Sequence, residues 1–192
     1  MAERIHPAAM ATRPHERIRA IGAHAPLLHE HLARLSEIDR CARLGRPVAA
    51  PAIEAYCTRL RGEESLIVAC VVGDRVVASG ELVESAEDRV FGGGNGVADL
   101  TIAVEEPHRR AGIAGRVCAE LIRRAPQRRL ALVRMAYAAD NAAMARLAHR
   151  LGAIDREMAG RTTAEICTGW MNDALMPILF ERSAGFRPLL TQ

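Results

Sequence analysis

One stretch of this chain constrains its fold more than any other. Residues Val97 to Val104 alternate, with Leu100, Ile102 and Val104 on one side and Asp99, Thr101 and Ala103 on the other. That is the period of a strand. Glu-Glu-Pro-His follows, and then Arg109-Arg110-Ala111-Gly112-Ile113-Ala114-Gly115 leads into a helical pattern. There Ala114, Val117, Cys118, Leu121, Ile122 and Ala125 share an apolar face, and Arg116, Glu120, Arg123 and Arg124 a polar one. A strand passing through a glycine-containing turn into an amphipathic helix leaves several N–H groups without an intrahelical acceptor. The helix dipole adds positive potential at that end, so the turn has the form of a phosphate cradle. Gly112 admits close approach of an anion, Ala114 and Gly115 leave space, and Arg109, Arg110 and Arg116 bring charge. A tight turn with surface arginines accounts for the same residues without a ligand. Two nucleotide motifs are excluded: the chain has no lysine for a Walker loop, and the turn is not G-x-G-x-x-G.

The rest of the chain reads as α/β around that unit. Arg17 to Ile21 alternates as a short first strand. Leu28, His31, Leu32 and Leu35 follow helical spacing, as do Ile53, Tyr56, Cys57 and Leu60, with Gly45-Arg46-Pro47 breaking the chain between them. Leu66 to Val72 and Arg75 to Val83 form a hairpin across Gly73-Asp74. Gly92 to Gly96 is a loop, and Leu130 to Met135 a fifth strand. Met144, Leu147, Ala148 and Leu151 repeat at helical spacing, closed by Gly152. One or two short strands around Gly160 and an apolar helix near Leu175 to Phe180 complete the reading. The first 14 residues are read as a flexible arm, and residues 15–192 as one domain.

Composition narrows the function classes. With 192 residues, 49% hydrophobic and 26% charged, the chain can bury one sizeable core and is neither disordered nor coiled-coil. A net charge of +3 is too small to make nucleic acid the first guess. The arginines Arg123, Arg124, Arg128, Arg129 and Arg134 lack interleaved aromatics and read as a solvated face. The five cysteines, Cys41, Cys57, Cys70, Cys118 and Cys167, are scattered and contain no CxxC pair, which fits buried thiols in a reducing cytosol. His29 and His31 are two apart rather than four, so no helical metal pair forms, and a solvated helix end is expected. The N-terminus has no continuous apolar segment, and the longest apolar run, Leu66 to Val72, is too short to span a bilayer. A cytoplasmic protein with no metal, no membrane and no nucleic acid as partner is expected.

Val104, Arg109 five positions later, and R-x-x-G-x-A through Gly112 and Ala114 resemble the acyl-CoA motif of the GNAT superfamily of N-acetyltransferases. The stretch from Ala139 through Asn141 and Met144 to Gly152 looks like that family's second signature. Upstream, Ile18 to Ile21 and Leu32 to Ser36 are similar to the start of GNAT domains in bacterial protein-lysine acetyltransferases, so the likeness covers roughly residues 15 to 160. The resemblance implies an α+β fold whose mixed, mostly antiparallel sheet splays between its fourth and fifth strands. It implies acetyl-CoA as co-substrate and no metal. The pantetheine arm would meet the backbone of Ile102, Ala103 and Val104. Arg109, Arg110, Ala111, Gly112, Ile113, Ala114 and Gly115 would hold the pyrophosphate, and Asn141 and Met144 would line the wall.

The implied activity is acetyl transfer to a primary amine, of a protein lysine or a small molecule, by direct attack in a ternary complex. Asp99, where the bacterial branch commonly has Glu, is the candidate base; a strand-start Asp in water is the alternative. A carboxylate on a buried strand would have its pKa raised by desolvation. Glu81, Glu84 and Glu106 are weaker options. The family's usual tyrosine acid is replaced by Ala148, leaving His149 and Tyr137 as substitutes. That loss also admits a non-catalytic acyl-CoA sensor. Acceptor identity and self-association as a homodimer are left open.

Overall fold

Seven strands of one sheet, in the order β1-β2-β3-β4-β5-β7-β6, organise the described part of the chain. The structure is a computed structural model and describes residues 16–22, 26–44, 49–62, 65–84, 96–158 and 161–168. In chain order the elements are β1 (Glu16–Ile21), α1 (Pro26–Arg34), α2 (Glu37–Leu44), α3 (Ala50–Gly62), β2 (Leu66–Val72), β3 (Arg75–Glu84), β4 (Val97–Val104), α4 (Ile113–Arg124), β5 (Leu132–Ala138), α5 (Ala142–Arg150), β6 (Ile154–Met158) and β7 (Arg161–Cys167). The expected N-terminal arm and the helix near Leu175 lie outside the described residues.

Every strand pairing is antiparallel except β4 with β5, which is parallel. That pairing covers only Val97↔Leu132, Ala98↔Val133 and Asp99↔Arg134. Beyond Asp99 the strands part, so the edge of β4 that faces β5 carries no ladder from Leu100 onward. Gly96 fixes where the pair begins. Its carbonyl accepts from Ala131 N–H at 2.7 Å and from Leu132 N–H at 3.0 Å. Its φ is +61°, and a Cβ there would overlap the Arg129 carbonyl.

Helices cover both faces. α4 lays Val117, Cys118, Leu121 and Ile122 on β3 and β4, so close that a Cβ on Gly80 would lie 2.8 Å from Leu121 Cδ1. On the opposite face Leu28 and Leu32 of α1 pack with Ile53, Cys57 and Leu60 of α3 over Ile67 and Ala103. At about 25 cal/mol per Å² of apolar surface, such clusters supply most of the drive to fold.

The structure corrects several expectations. α2 had no place in the periodicity reading, because the residue it buries is Arg43 and its one large exposed apolar side chain is Ile38. Ser36 separates α1 from α2: its Oγ accepts from Asp39 N–H at 3.1 Å and donates to Asp39 Oδ2 at 2.6 Å. The fifth strand runs from Leu132 rather than Leu130, since Arg129 is left-handed at φ 58° and Leu130 N–H is tied back to the Ala125 carbonyl at 3.1 Å. His31 is wholly buried rather than solvated, while His29 faces Glu54 at 3.7 Å. Cys57, Cys70 and Cys118 are buried, but Cys41 is half-buried and Cys167 exposed.

Candidate functional site

The turn after β4 is built in two steps. Glu105 ends the strand with its N–H on the Val77 carbonyl at 2.9 Å, and a short 3-10 turn, Glu106–His108, redirects the chain. Arg110 and Gly112 then take left-handed backbone, at φ 63° and 73°, and α4 begins at Ile113. Gly112 carries no capping side chain, and the first bond of the helix runs from Arg116 N–H to the Gly112 carbonyl at 3.2 Å. The N–H groups of Ile113, Ala114 and Gly115 therefore open out of the helix end with no acceptor inside it. A Cβ on Gly115 would meet only Leu147 Cδ1, at 4.0 Å. An anion suits this place, with donors, positive dipole and room.

The loop arginines differ in their freedom. Arg109 Nε donates to the Val104 carbonyl at 3.1 Å, and its Nη2 lies 2.6 Å from Asp39 Oδ1 at the start of α2. Arg116 is committed to a buried ion pair with Glu16 of β1, so it does not face the turn as a spare cation. Arg110 is exposed. Ile102 and Val104 are half-buried against the α4 side, and Ala103 is buried on the other.

Asn141 caps α5: its Oδ1 accepts from Met144 N–H at 3.1 Å, which leaves its amide NH2 as the remaining donor. Met144 is half-buried against the same core as Leu147 and Ala148. α5 approaches the start of α4 through Leu147, whose Cδ1 would lie 4.0 Å from a Cβ on Gly115.

Asp99 does not occupy the desolvated setting foreseen for it. Its side chain is 52% exposed, and Arg134 Nε lies 3.0 Å from its Oδ1. Glu84 and Glu106 are exposed as well. Glu81 is buried and held: Arg43 Nη1 donates to its Oε1 at 3.1 Å, Thr101 at 3.4 Å, and Tyr56 donates to the same oxygen. Burial pushes the Glu81 carboxyl up, but the Arg43 charge and these hydrogen bonds hold it below the ordinary range.

No acid stands at position 148. Ala148 is buried in the core. The two substitutes converge on one carboxylate: Tyr137 donates to Asp155 Oδ1 at 3.1 Å, and His149 Nε2 lies 2.7 Å from Asp155 Oδ2. Burial, and then the Asp155 hydrogen bond, push the Tyr137 hydroxyl up to about 12.

Sequence reasoning missed a second buried carboxylate, Glu105. It lies 3.1 Å from His31 Nδ1 and 2.9 Å from Arg34 Nε, and it also pairs with Arg75. Two arginines and a histidine, from α1 and β3, thus fasten the root of the turn. Only the consecutive Glu105-Glu106 after the strand hinted at it, and nothing there said which would turn inward.

Among the described residues no helix is long and apolar enough to cross a membrane. No curated protein matches the sequence. Solved structures share the fold. The GNAT domain of S. lividans PAT superposes with a TM-score of 0.65 at 16% identity, covering 79% of this chain and 90% of that one. YncA of Salmonella typhimurium, solved with its cofactor acetyl-CoA, gives 0.65 at 14% identity, covering 80% and 94%. The ribosomal-protein-alanine N-acetyltransferase of Brucella melitensis gives 0.62 at 16%, covering 79% and 99%. The model of the acetyltransferase (GNAT) family matches residues 32–153, which span β4, the glycine turn, α4 and the Asn141 cap. The chain belongs to the GNAT acetyltransferase family.

Proposed function

We propose that this protein moves an acetyl group from acetyl-CoA to a primary amine by direct attack, with both reactants bound together. The observation that carries the reading is the parting of β4 from β5 after Asp99, beside a turn whose helix-end N–H groups have no acceptor within the helix. An extended amide-bearing arm and a pyrophosphate are the two chemistries that such a gap and such a turn fit.

Acetyl-CoA supplies the activated acyl group. The unladdered edge formed by Ile102, Ala103 and Val104 hydrogen-bonds the arm, while Arg109 through Gly115 hold the pyrophosphate. The Asn141 amide donates to the arm and Met144 closes the wall. A backbone N–H near Val104 donates to the acyl oxygen as it gains charge. Asp99 takes the proton of the attacking ammonium; its exposure lets an amine reach it, and Arg134 holds its carboxylate in place. Tyr137 and His149 are both engaged with Asp155, so the thiolate is protonated by water, a coenzyme thiol being a fair leaving group near neutral pH. Holding both reactants in one cleft supplies much of the rate. A cytoplasmic setting belongs to this reading.

A second reading, a non-catalytic acyl-CoA sensor, is favoured by one observation, the buried Ala148 where the family's tyrosine acid would stand. Thiol release by purified protein given acetyl-CoA and a panel of primary amines decides between them. Turnover above hydrolysis supports transfer; binding without turnover for any amine supports the sensor.

A further inference from the structure

α2 buries an arginine, and one edge of that arginine has no hydrogen-bond partner among the described residues. The Arg43 side chain is 1% exposed. Its Nη1 lies 3.1 Å from Glu81 Oε1 and 3.1 Å from the Tyr56 hydroxyl, and also donates to Thr101. Its guanidinium stands over the Tyr56 ring, 5.9 Å from the centroid. Its Nε and Nη2 have no hydrogen-bond partner among the described residues. Those two nitrogens form the side-on fork of the guanidinium, whose parallel N–H groups match the two oxygens of a carboxylate.

The fork has company. Glu81 Oε2 and Ser79 Oγ are also buried without a hydrogen-bond partner among the described residues. Ser79 and Glu81 share one face of β3, and Thr101 and Asp99 share that face of β4, in the register Glu81↔Thr101 and Val83↔Asp99. Buried polar atoms nearly always find a partner, and an uncompensated one is expensive. Four such atoms, from three neighbouring residues, are left in this state among the described residues. It lies two residues along β4 from Asp99, where the strand leaves β5.

We propose that the Arg43 fork receives a carboxylate on the acceptor, which makes the acceptor a small amino acid. The amine half rests on the acetyl-transfer reading above; the carboxylate half rests on Arg43 itself. A polyamine would bring positive charge against the fork, and an amino sugar would leave its charge unanswered. A lysine of a folded protein carries no carboxylate. Nη1 is already fixed by Glu81, Tyr56 and Thr101, so the fork is aimed before any guest arrives. Glu81 Oε2 is left as an acceptor for an N–H on the same guest.

The test uses matched pairs on the full chain: each common L-amino acid against its own carboxamide, and β-alanine and γ-aminobutyrate against propylamine. Calorimetry in the presence of CoA reads binding, and thiol release with acetyl-CoA reads turnover. The carboxylate member of the preferred pair should bind and turn over about 10–100-fold better than its neutral partner. Arg43→Lys keeps a cation for Glu81 but loses the fork, and should erase that preference while a thermal scan confirms a folded protein. If the carboxylates bind in an Arg43-dependent way but no amine releases thiol, acetyl transfer fails and the carboxylate site stands. Equal behaviour within every pair, or no binding by either series, overturns the site and leaves the fork to internal water.

Discussion

Arg109 Nη2 lies 2.6 Å from Asp39 Oδ1, so the first arginine of the glycine turn is tied to the first turn of α2. The helix carrying Arg43 and the turn proposed for pyrophosphate thus share one ion pair. The pair is partly exposed, with Arg109 at 41%, and such pairs are worth about 0.2–1 kcal/mol. Asp39→Asn should therefore release Arg109 toward an incoming phosphate and tighten acetyl-CoA binding by ~2–5-fold. Arg109→Ala should weaken it by about 10-fold, the loss of one charge-assisted hydrogen bond. Titration calorimetry reads both, and unchanged affinity in the two variants would remove Arg109 from the site.

Gly112 separates shape from charge. At about 100-fold above its dissociation constant, acetyl-CoA should stabilise the fold by roughly 2.7 kcal/mol. Gly112→Asp puts a negative charge at the helix start and should abolish that shift. Gly112→Asn tolerates the left-handed φ of 73° and adds no charge, so it should keep part of it. An undiminished thermal shift in Gly112→Asp excludes the turn as the phosphate site.

Asp99→Asn keeps the shape of the proposed base and removes its basicity. Turnover should fall by about 10²–10⁴, with acetyl-CoA affinity little changed. Arg134→Gln, which leaves the carboxylate in place, should cause a smaller loss. Near wild-type turnover by Asp99→Asn with an authentic acceptor would assign the base elsewhere.

His31 sets an acid limit on stability. Burial depresses its pKa and outweighs the opposing pull of Glu105, so the ring stays neutral in the fold below the ordinary histidine value. As pH falls through about 6.5 the unfolded chain takes up a proton that the folded chain refuses, so stability drops with falling pH from there downward. Glu105 adds to this at lower pH. Burial pushes it up, but hydrogen bonds from His31, Arg75 and Arg34 hold its carboxyl below the ordinary value. Its contribution is present above the unfolded carboxylate range and is lost as pH falls through the lowered folded value. Urea midpoints of His31→Gln should vary less between pH 6.5 and 5 than those of the wild type; parallel curves would exclude His31 as the source.

Gly96→Ala tests the start of the β4–β5 pair. The new methyl group would overlap the Arg129 carbonyl in left-handed backbone, and strain of that kind costs about 1–3 kcal/mol before any clash is counted. The urea midpoint should fall accordingly. An unchanged midpoint would mean that the two strands can begin elsewhere.

The glycine turn, the hairpin and α4 were legible because their signals are local: alternation, a turn dipeptide and a 3.6-residue stripe. What stayed hidden depends on partners far along the chain. Glu105 turns inward to His31, 74 residues away, and Arg43 is buried by Glu81, 38 residues away. Neither partner can be read from a window of neighbours. α2 was invisible for the same reason: an arginine on the inner face breaks the apolar stripe that marks a helix. Asp99 was placed on the correct strand, but its exposure depends on how far β5 runs alongside, which begins with the Gly96 carbonyl and not with any feature of β4.

The parting of β4 from β5 is made of main chain, and every residue other than proline carries the same N–H and C=O. An opening set by where two strands stop pairing is indifferent to most side-chain replacement. Leu100, Thr101 and Ile102 could be exchanged for other strand-forming residues and the gap would present the same groups at the same spacing. This fits a fold shared with YncA at 14% identity. The heritable information at such a gap is a register, and what can erase it is a proline or a one-residue slip, more than any change of side-chain character.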